Sequence, residues 1–110
     1  MIGIDIITIK RFKKIQQGDY KIWDHVFSQE EWAYSFRDAR HAHHLAGIFA
    51  AKEAAMKSVG APYISHYELI SISHDASGKP FIRLNQSKFQ LEVSISHDEE
   101  RAIAVVFGSC

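Results

Sequence analysis

Asp5 and Glu53 are the two acids of this sequence best placed to do chemistry together. Asp5 lies in an alternating N-terminal segment and Glu53 in a long helical one, so a shared core would bring them to one strand–helix seam. Two converging carboxylates suit Mg²⁺, which takes oxygen ligands and fills its remaining positions with water and substrate phosphates. The plainer alternative is that Asp5 ends a strand and Glu53 pairs with Lys57 at i,i+4. Lys52 and Lys57 are candidate cations for phosphate groups. Lys57 also suits a solvated helix face. Lys52 falls in the middle of the stripe formed by Leu45, Ile48, Phe49, Met56 and Val59. Burying its charge without a partner is costly, although a long stem can carry an ammonium out of an apolar stripe. His97 follows Ser94 and Ser96 beside a turn, a setting that serves structure as readily as catalysis, and His74 has the same status.

Other clusters carry weaker signals. His41, His43 and His44 are dense, and His41 and His44 stand at i,i+3, but no cysteine or acid completes a metal set. A solvated helix start is the expectation. Lys10, Arg11, Lys13 and Lys14 surround Phe12 as a basic face for nucleic acid, for an acidic protein or for solvent alone. Ser-Ile-Ser-His-Asp occurs at Ser71–Asp75 and again at Ser94–Asp98, with different flanks. Two similar strand ends explain it without a duplication. No Walker loop, Rossmann glycine fingerprint, Gly-x-Ser-x-Gly elbow or Cys-x-x-Cys is present, so a phosphate-handling Mg²⁺ site is the best chemical reading.

The elements that must position these residues follow from periodicity. Ile2, Ile4 and Ile6 alternate with Gly3 and Asp5 as a strand, which points Asp5 away from the isoleucines. Thr8 caps a short helix from Ile9 to about Gln16, with Ile9, Phe12 and Ile15 inward. Ser28-Gln29-Glu30-Glu31 is a capping box that opens a second helix carrying Trp32 and Phe36. The long helix runs from about His41 to Ser58, and Gly60 and Pro62 stop it. Strands are expected at Tyr67–His74, Pro80–Leu84, Leu91–His97 and Arg101–Phe107. One strand, three helices and four strands predict a single α+β domain over 1–110, with a mainly antiparallel sheet against a long helix and two shorter ones.

The 110 residues are 46% apolar and 24% charged, an ordinary globular composition, and formal net charge is zero. No global field recruits nucleic acid or membrane. The apolar runs are too short to span a bilayer, and the start lacks the pattern of a signal peptide. The lone cysteine, Cys110, excludes an intrachain disulfide framework, suits a cytoplasmic protein and reads as an inert tail residue.

Four ordered motifs then carry a resemblance: Gly3-Ile4-Asp5-Ile6; Phe49-Ala50-Ala51-Lys52-Glu53-Ala54 with Lys57; Gly78-Lys79-Pro80; and Val93-Ser94-Ile95-Ser96-His97 followed by Ala102. In order and spacing they run the whole chain, which resembles the holo-acyl-carrier-protein synthase family of phosphopantetheinyl transferases. The resemblance implies transfer of the 4′-phosphopantetheine arm of coenzyme A to a serine of an apo acyl carrier protein, releasing adenosine 3′,5′-bisphosphate. By the same resemblance Asp5 and Glu53 hold Mg²⁺, and Glu53 helps deprotonate the serine. Lys57 stabilises pyrophosphate charge, and Lys52 and His97 support coenzyme A phosphates. Glu53, Lys57 and His97 are thus the implied catalytic set. Ser96 and the Gly78-Lys79-Pro80 turn join the coenzyme-binding residues, with the turn near the nucleotide. Arg11, with Lys14 on the same basic face, docks the acidic carrier protein. Only the Ser94–Asp98 copy of the pentapeptide matches the family motif, which favours His97 over His74. Family members of this length imply a homotrimer with active sites between subunits.

Two departures stand out. Ile48 takes the place of an arginine found in many relatives, and the first strand begins a few residues short. A non-catalytic module that binds coenzyme A or a carrier protein is the alternative these departures raise. Whether the carrier belongs to fatty-acid, polyketide or peptide synthesis is left open.

Overall fold

A long helix, α3 (His41–Val59), lies across two small antiparallel sheets in the computed structural model, which describes residues 1–109. Cys110 lies outside the described residues. The first sheet has the order β1 (Ile2–Thr8), β5 (Arg101–Ser109), β4 (Gln90–His97). The second pairs β2 (Ile70–His74) with β3 (Pro80–Leu84), and β3 runs beside β4 without a ladder to it. This is the expected α+β class. The register Asp5↔Ala104 and Ile7↔Ala102 places the N-terminal strand against the C-terminal one.

Small residues set how closely α3 approaches that sheet. Ala50, Ala51, Ala54 and Ala55 of the helix and Ala102, Ala104 and Val106 of β5 are fully buried. At Gly3 a Cβ would stand 1.9 Å from the Ala54 carbonyl oxygen. Only glycine fits there, because strand backbone rests on helix backbone. The inward row of β1 is therefore Gly3, Asp5 and Ile7. The apolar row, Ile2, Ile4 and Ile6, is exposed on the opposite face. Its β5 partners, Phe107, Val105 and Ile103, extend that uncovered surface.

The second helix, α2 (Gln29–Ser35), starts at the expected capping box. Glu31 N–H donates to Ser28 Oγ at 3.1 Å, and Ser28 N–H donates to Glu31 Oε1 at 2.8 Å. Two expectations change. The Ile9–Gln16 helix is a 3-10 turn over Ile9–Phe12, and Thr8 makes no side-chain cap. It still buries Ile9, Phe12 and Ile15. A one-turn helix, α1 (Tyr20–Trp23), follows it and carried no periodic signal of its own. The expected strand from Tyr67 also starts late, since Tyr67–Leu69 form a 3-10 turn before β2. The Leu69 and Ile70 N–H groups there donate to the His66 and Tyr67 carbonyls, so the ladder begins only at Ile70.

Gly3→Ala forces apart the strand and helix that carry the candidate acids. We expect a loss of about 3 kcal/mol in urea unfolding. An unchanged midpoint would show that β1 does not rest on Ala54.

Candidate active site

The seam between β1 and α3 carries one group of candidate residues. Lys57 Nζ donates to Asp5 Oδ1 and to the Ile4 carbonyl, each at 3.1 Å. The i,i+4 pairing of Glu53 with Lys57 is not formed. Glu53 Oε1 instead accepts a hydrogen bond from the Tyr67 hydroxyl. Burial, Glu53 and the nearby Asp5 push the Tyr67 hydroxyl up to about 12, against a smaller opposing effect of Arg11, so it stays a donor at neutral pH. Both carboxylates thus act on one phenol. Asp5 Oδ2 and Glu53 Oε2 have no hydrogen-bond partner among the described residues. Glu53, Lys57 and Tyr67 line a cleft of about 150 Å³. The Tyr67 ring stacks near Phe49 (5.8 Å, 23°), and the Arg11 guanidinium lies 5.3 Å from the Phe49 centroid. The basic residue expected to dock a partner therefore lies over the Phe49 ring, on which the Tyr67 ring stacks. Lys14 is exposed on the same segment. Lys10 and Lys13 instead border a separate cleft with Glu99 and Glu100.

A second cleft of about 210 Å³ gathers Gly78, Pro80 and His97 with His43, His44 and His74. Both pentapeptide copies end at it, one through His74 and the other through His97. In each copy the aspartate holds a turn: Asp75 Oδ1 accepts from Ser77 and Lys79 N–H, and Asp98 Oδ1 from Glu100 and Arg101 N–H. Lys79 turns its ammonium toward the Phe81 ring at 5.6 Å. Ser96 borders a third depression with Ile6 and Arg101. His43 and Glu53 sit ten residues apart on α3, about 15 Å along the helix. One chain accordingly holds two separate clefts, each with part of the candidate set, and His97 is not brought to Glu53.

Lys52, expected among the coenzyme ligands, lines neither cleft. Its ammonium is buried in the core, 2.7 Å from Glu31 Oε1, and donates to the carbonyls of Val26 (2.8 Å) and Tyr67 (3.3 Å). Glu31 Oε2 accepts the Ile72 N–H at 2.8 Å. Burial pulls the Lys52 ammonium below its usual range, with Glu31 opposing. The residue sits in the apolar stripe because its partner comes from α2. Glu31, read only as a cap, and Tyr67, read as the start of a strand, are the partners of Lys52 and Glu53 that periodicity missed. His41, His43 and His44, expected as a solvated helix start, are instead half-buried, and His43 and His44 line the second cleft.

The sequence profile of the 4′-phosphopantetheinyl transferase superfamily matches residues 1–106. The chain belongs to this superfamily. It is 38% identical to the holo-[acyl-carrier-protein] synthase of Clostridium acetobutylicum, over 94% of this chain and 91% of that protein. Identity to the Geobacillus enzyme of the same name is 36%, over 96% and 92%. Among solved structures, the Helicobacter pylori holo-[acyl-carrier-protein] synthase in complex with coenzyme A superposes with a TM-score of 0.82. It is 36% identical and covers 99% of this chain and 100% of that one. The Bacillus anthracis enzyme, in complex with CoA (3′,5′-ADP), gives 0.77 at 33% identity, covering 96% and 91%. The transferase fold of these relatives is the fold described above.

Two outcomes test this assignment of residues. Lys52→Ala leaves Glu31 buried and unpaired, and should cost about 3–5 kcal/mol in chemical unfolding. A stable Lys52→Ala protein that loses only coenzyme A binding would restore Lys52 as a ligand. Burial, with His44 and Arg37, brings the His74 imidazole down to about 4. An unfolded histidine titrates near 6.5, so the unfolded chain takes the proton first as pH falls through that window, and stability drops. His74→Asn should flatten the fall of the urea midpoint between pH 6.5 and 4.5. An unaltered slope would contradict a neutral His74.

Proposed function

We propose that this chain is a Mg²⁺-dependent transferase that moves the 4′-phosphopantetheine arm of coenzyme A onto a serine of an apo acyl carrier protein. Family membership carries the reading, and the Asp5–Lys57 and Tyr67–Glu53 contacts at the β1–α3 seam are the observation that supports it. Residues 1–110 act as one transferase domain in the cytoplasm.

The donor set fits Mg²⁺. Both candidate ligands are hard carboxylates, each with an oxygen free of other hydrogen bonds. Those oxygens are Asp5 Oδ2 and Glu53 Oε2. Mg²⁺ ordinarily takes one or two protein carboxylates and completes its shell with water and phosphate. When bound, the ion neutralises pyrophosphate charge.

In the proposed reaction the serine oxygen forms a bond to the phosphorus that bears the pantetheine arm. The bond from that phosphorus to the bridging oxygen breaks, and adenosine 3′,5′-bisphosphate leaves. Glu53 helps remove the serine proton, directly or through a water. Lys57, whose side chain is more than half exposed, meets the charge that develops on the pyrophosphate, the kind of electrostatic contribution that dominates such transfers. His97, Gly78, Lys79, Pro80 and Ser96 receive the nucleotide end. Arg11 and Lys14 draw the acidic carrier to the rim beside Glu53.

Assembly into a trimer joins the half-sites. The exposed row of Ile2, Ile4, Ile6 and Phe107 is a large apolar surface for a single protomer. The separation of Glu53 from His97 leaves each protomer needing a second copy to complete the site.

Incubation with apo carrier protein, coenzyme A and Mg²⁺ should add the phosphopantetheine mass to the carrier serine, and no gain across a panel of carrier proteins would reject the reading. Asp5→Ala and Glu53→Ala should each lower kcat about a hundredfold or more, and wild-type rates in both would remove the metal assignment. Ile4→Glu should yield a folded monomer in light scattering with little transfer activity. An active monomer would place the whole site in one chain.

A further inference from the structure

A single group fixes the Glu53 carboxylate. Lys57, one turn further along α3, is drawn instead to Asp5 and the Ile4 carbonyl. Among the described residues only the Tyr67 hydroxyl donates to Glu53, at Oε1. Tyr67 is itself held at three points, all supplied by α3. Its ring stacks near Phe49, its carbonyl accepts from the Lys52 ammonium at 3.3 Å, and its hydroxyl reaches Glu53. Phe49, Lys52 and Glu53 stand at i, i+3 and i+4 on that helix, which makes them neighbours on its surface. Lys52 is in turn clamped by Glu31 at 2.7 Å. The buried ion pair is thus linked through the Tyr67 backbone to the carboxylate of the candidate site.

We propose that Tyr67 is a positioning residue for the metal site: its hydroxyl ties Glu53 Oε1 and so orients Oε2 toward Mg²⁺. The proposal rests on the transferase reading, which gives the ion to Asp5 and Glu53. A glutamate on a helix surface has several open rotamers, and ordering it costs free energy. Freed from the phenol, the carboxylate can swing to Lys57 at i,i+4 or turn both oxygens to the ion. Mg²⁺ demands near-ideal octahedral geometry, so a ligand already held in one orientation binds it with less left to order. Hydrogen bonds from outside the ligand set commonly provide that restraint. A phenol suits the task, because it donates one proton to one oxygen and brings no positive charge to compete with the ion.

Packing and positioning can be separated at this residue. The ring rests near Phe49 and the backbone carbonyl binds Lys52 whether or not a hydroxyl is present. Tyr67 is half-buried, and it lines the cleft of about 150 Å³ together with Glu53 and Lys57. The hydroxyl therefore ends at the site rather than in the core. Removing that one oxygen leaves the turn, the ring and the buried ion pair in place and releases only Glu53.

Mn²⁺ favours the same oxygen ligands as Mg²⁺, and its paramagnetic resonance signal reports binding without turnover. It is titrated into the protein with coenzyme A and no carrier protein, and coenzyme A alone serves as the blank. Tyr67→Phe, checked for native circular dichroism, should weaken Mn²⁺ binding about tenfold. In the transfer assay the same variant should need about tenfold more Mg²⁺ for half-maximal rate, with KM for the carrier protein unchanged. Tyr67→Leu, which removes the ring as well, should weaken Mn²⁺ binding at least as much. Wild-type Mn²⁺ affinity in Tyr67→Phe overturns the positioning role. So does a defect confined to Tyr67→Leu, which assigns the effect to the ring. Failure of wild-type protein with coenzyme A to bind Mn²⁺ beyond the blank overturns the metal assignment and this inference together.

Discussion

The buried pair of Glu31 and Lys52 is the interaction on which the rest of the structure depends. One carboxylate caps α2, accepts from the Lys52 ammonium of α3 and accepts the Ile72 N–H of β2. The ammonium in turn holds the carbonyls of Val26 and Tyr67. Each charge is taken out of water only because the other, with backbone partners, replaces its hydration. Helix α2, helix α3, the loop before α2 and the Tyr67 turn therefore share one polar node inside an apolar core. The consequence reaches the candidate site, since the same turn that gives its carbonyl to Lys52 gives its hydroxyl to Glu53.

Close backbone packing is the second constraint. Gly3 and the alanines of α3 let the strand lie flush on the helix, which brings the Asp5 carboxylate within reach of Lys57. Turning the small residues inward turns Ile2, Ile4 and Ile6 outward. A strand that serves the site on one face thus offers an apolar row on the other, and the proposed assembly uses that row. The same economy holds on α3, where one helix carries the histidines of one cleft near its start and the acid and lysine of the other toward its end.

Much of this was legible in the sequence. The capping box at Ser28, the extent of α3, the stop at Gly60 and the two hairpins all follow from local hydrogen bonding and periodicity, which neighbouring residues decide among themselves. Asp5 and Glu53 were also legible as a candidate pair from strand and helix patterns, and the family resemblance added Lys57 to them, where spacing alone offered a plain i,i+4 pair with Glu53. Lys52 was not. Its stripe position announced a buried charge, but a buried charge with an acidic partner and a ligand facing a phosphate look alike until the partner is located. The one-turn helix at Tyr20 and the 3-10 turn at Tyr67 were hidden for a related reason: segments of three or four residues have no period to read.

By itself the sequence determined the class of fold, the family and the chemical types available at the candidate site, since these rest on residue order, spacing and local hydrogen bonding. Tertiary structure alone decided who meets whom. It assigned Lys52 to Glu31 and Lys57 to Asp5, gave Tyr67 to Glu53, and brought both Ser-Ile-Ser-His-Asp copies to one histidine cleft. The physical reason is that partners such as Asp5 and Lys57 stand 52 positions apart in the chain. Short-range pattern carries no information about such a distance, and only the packing of a helix against a sheet brings the two together.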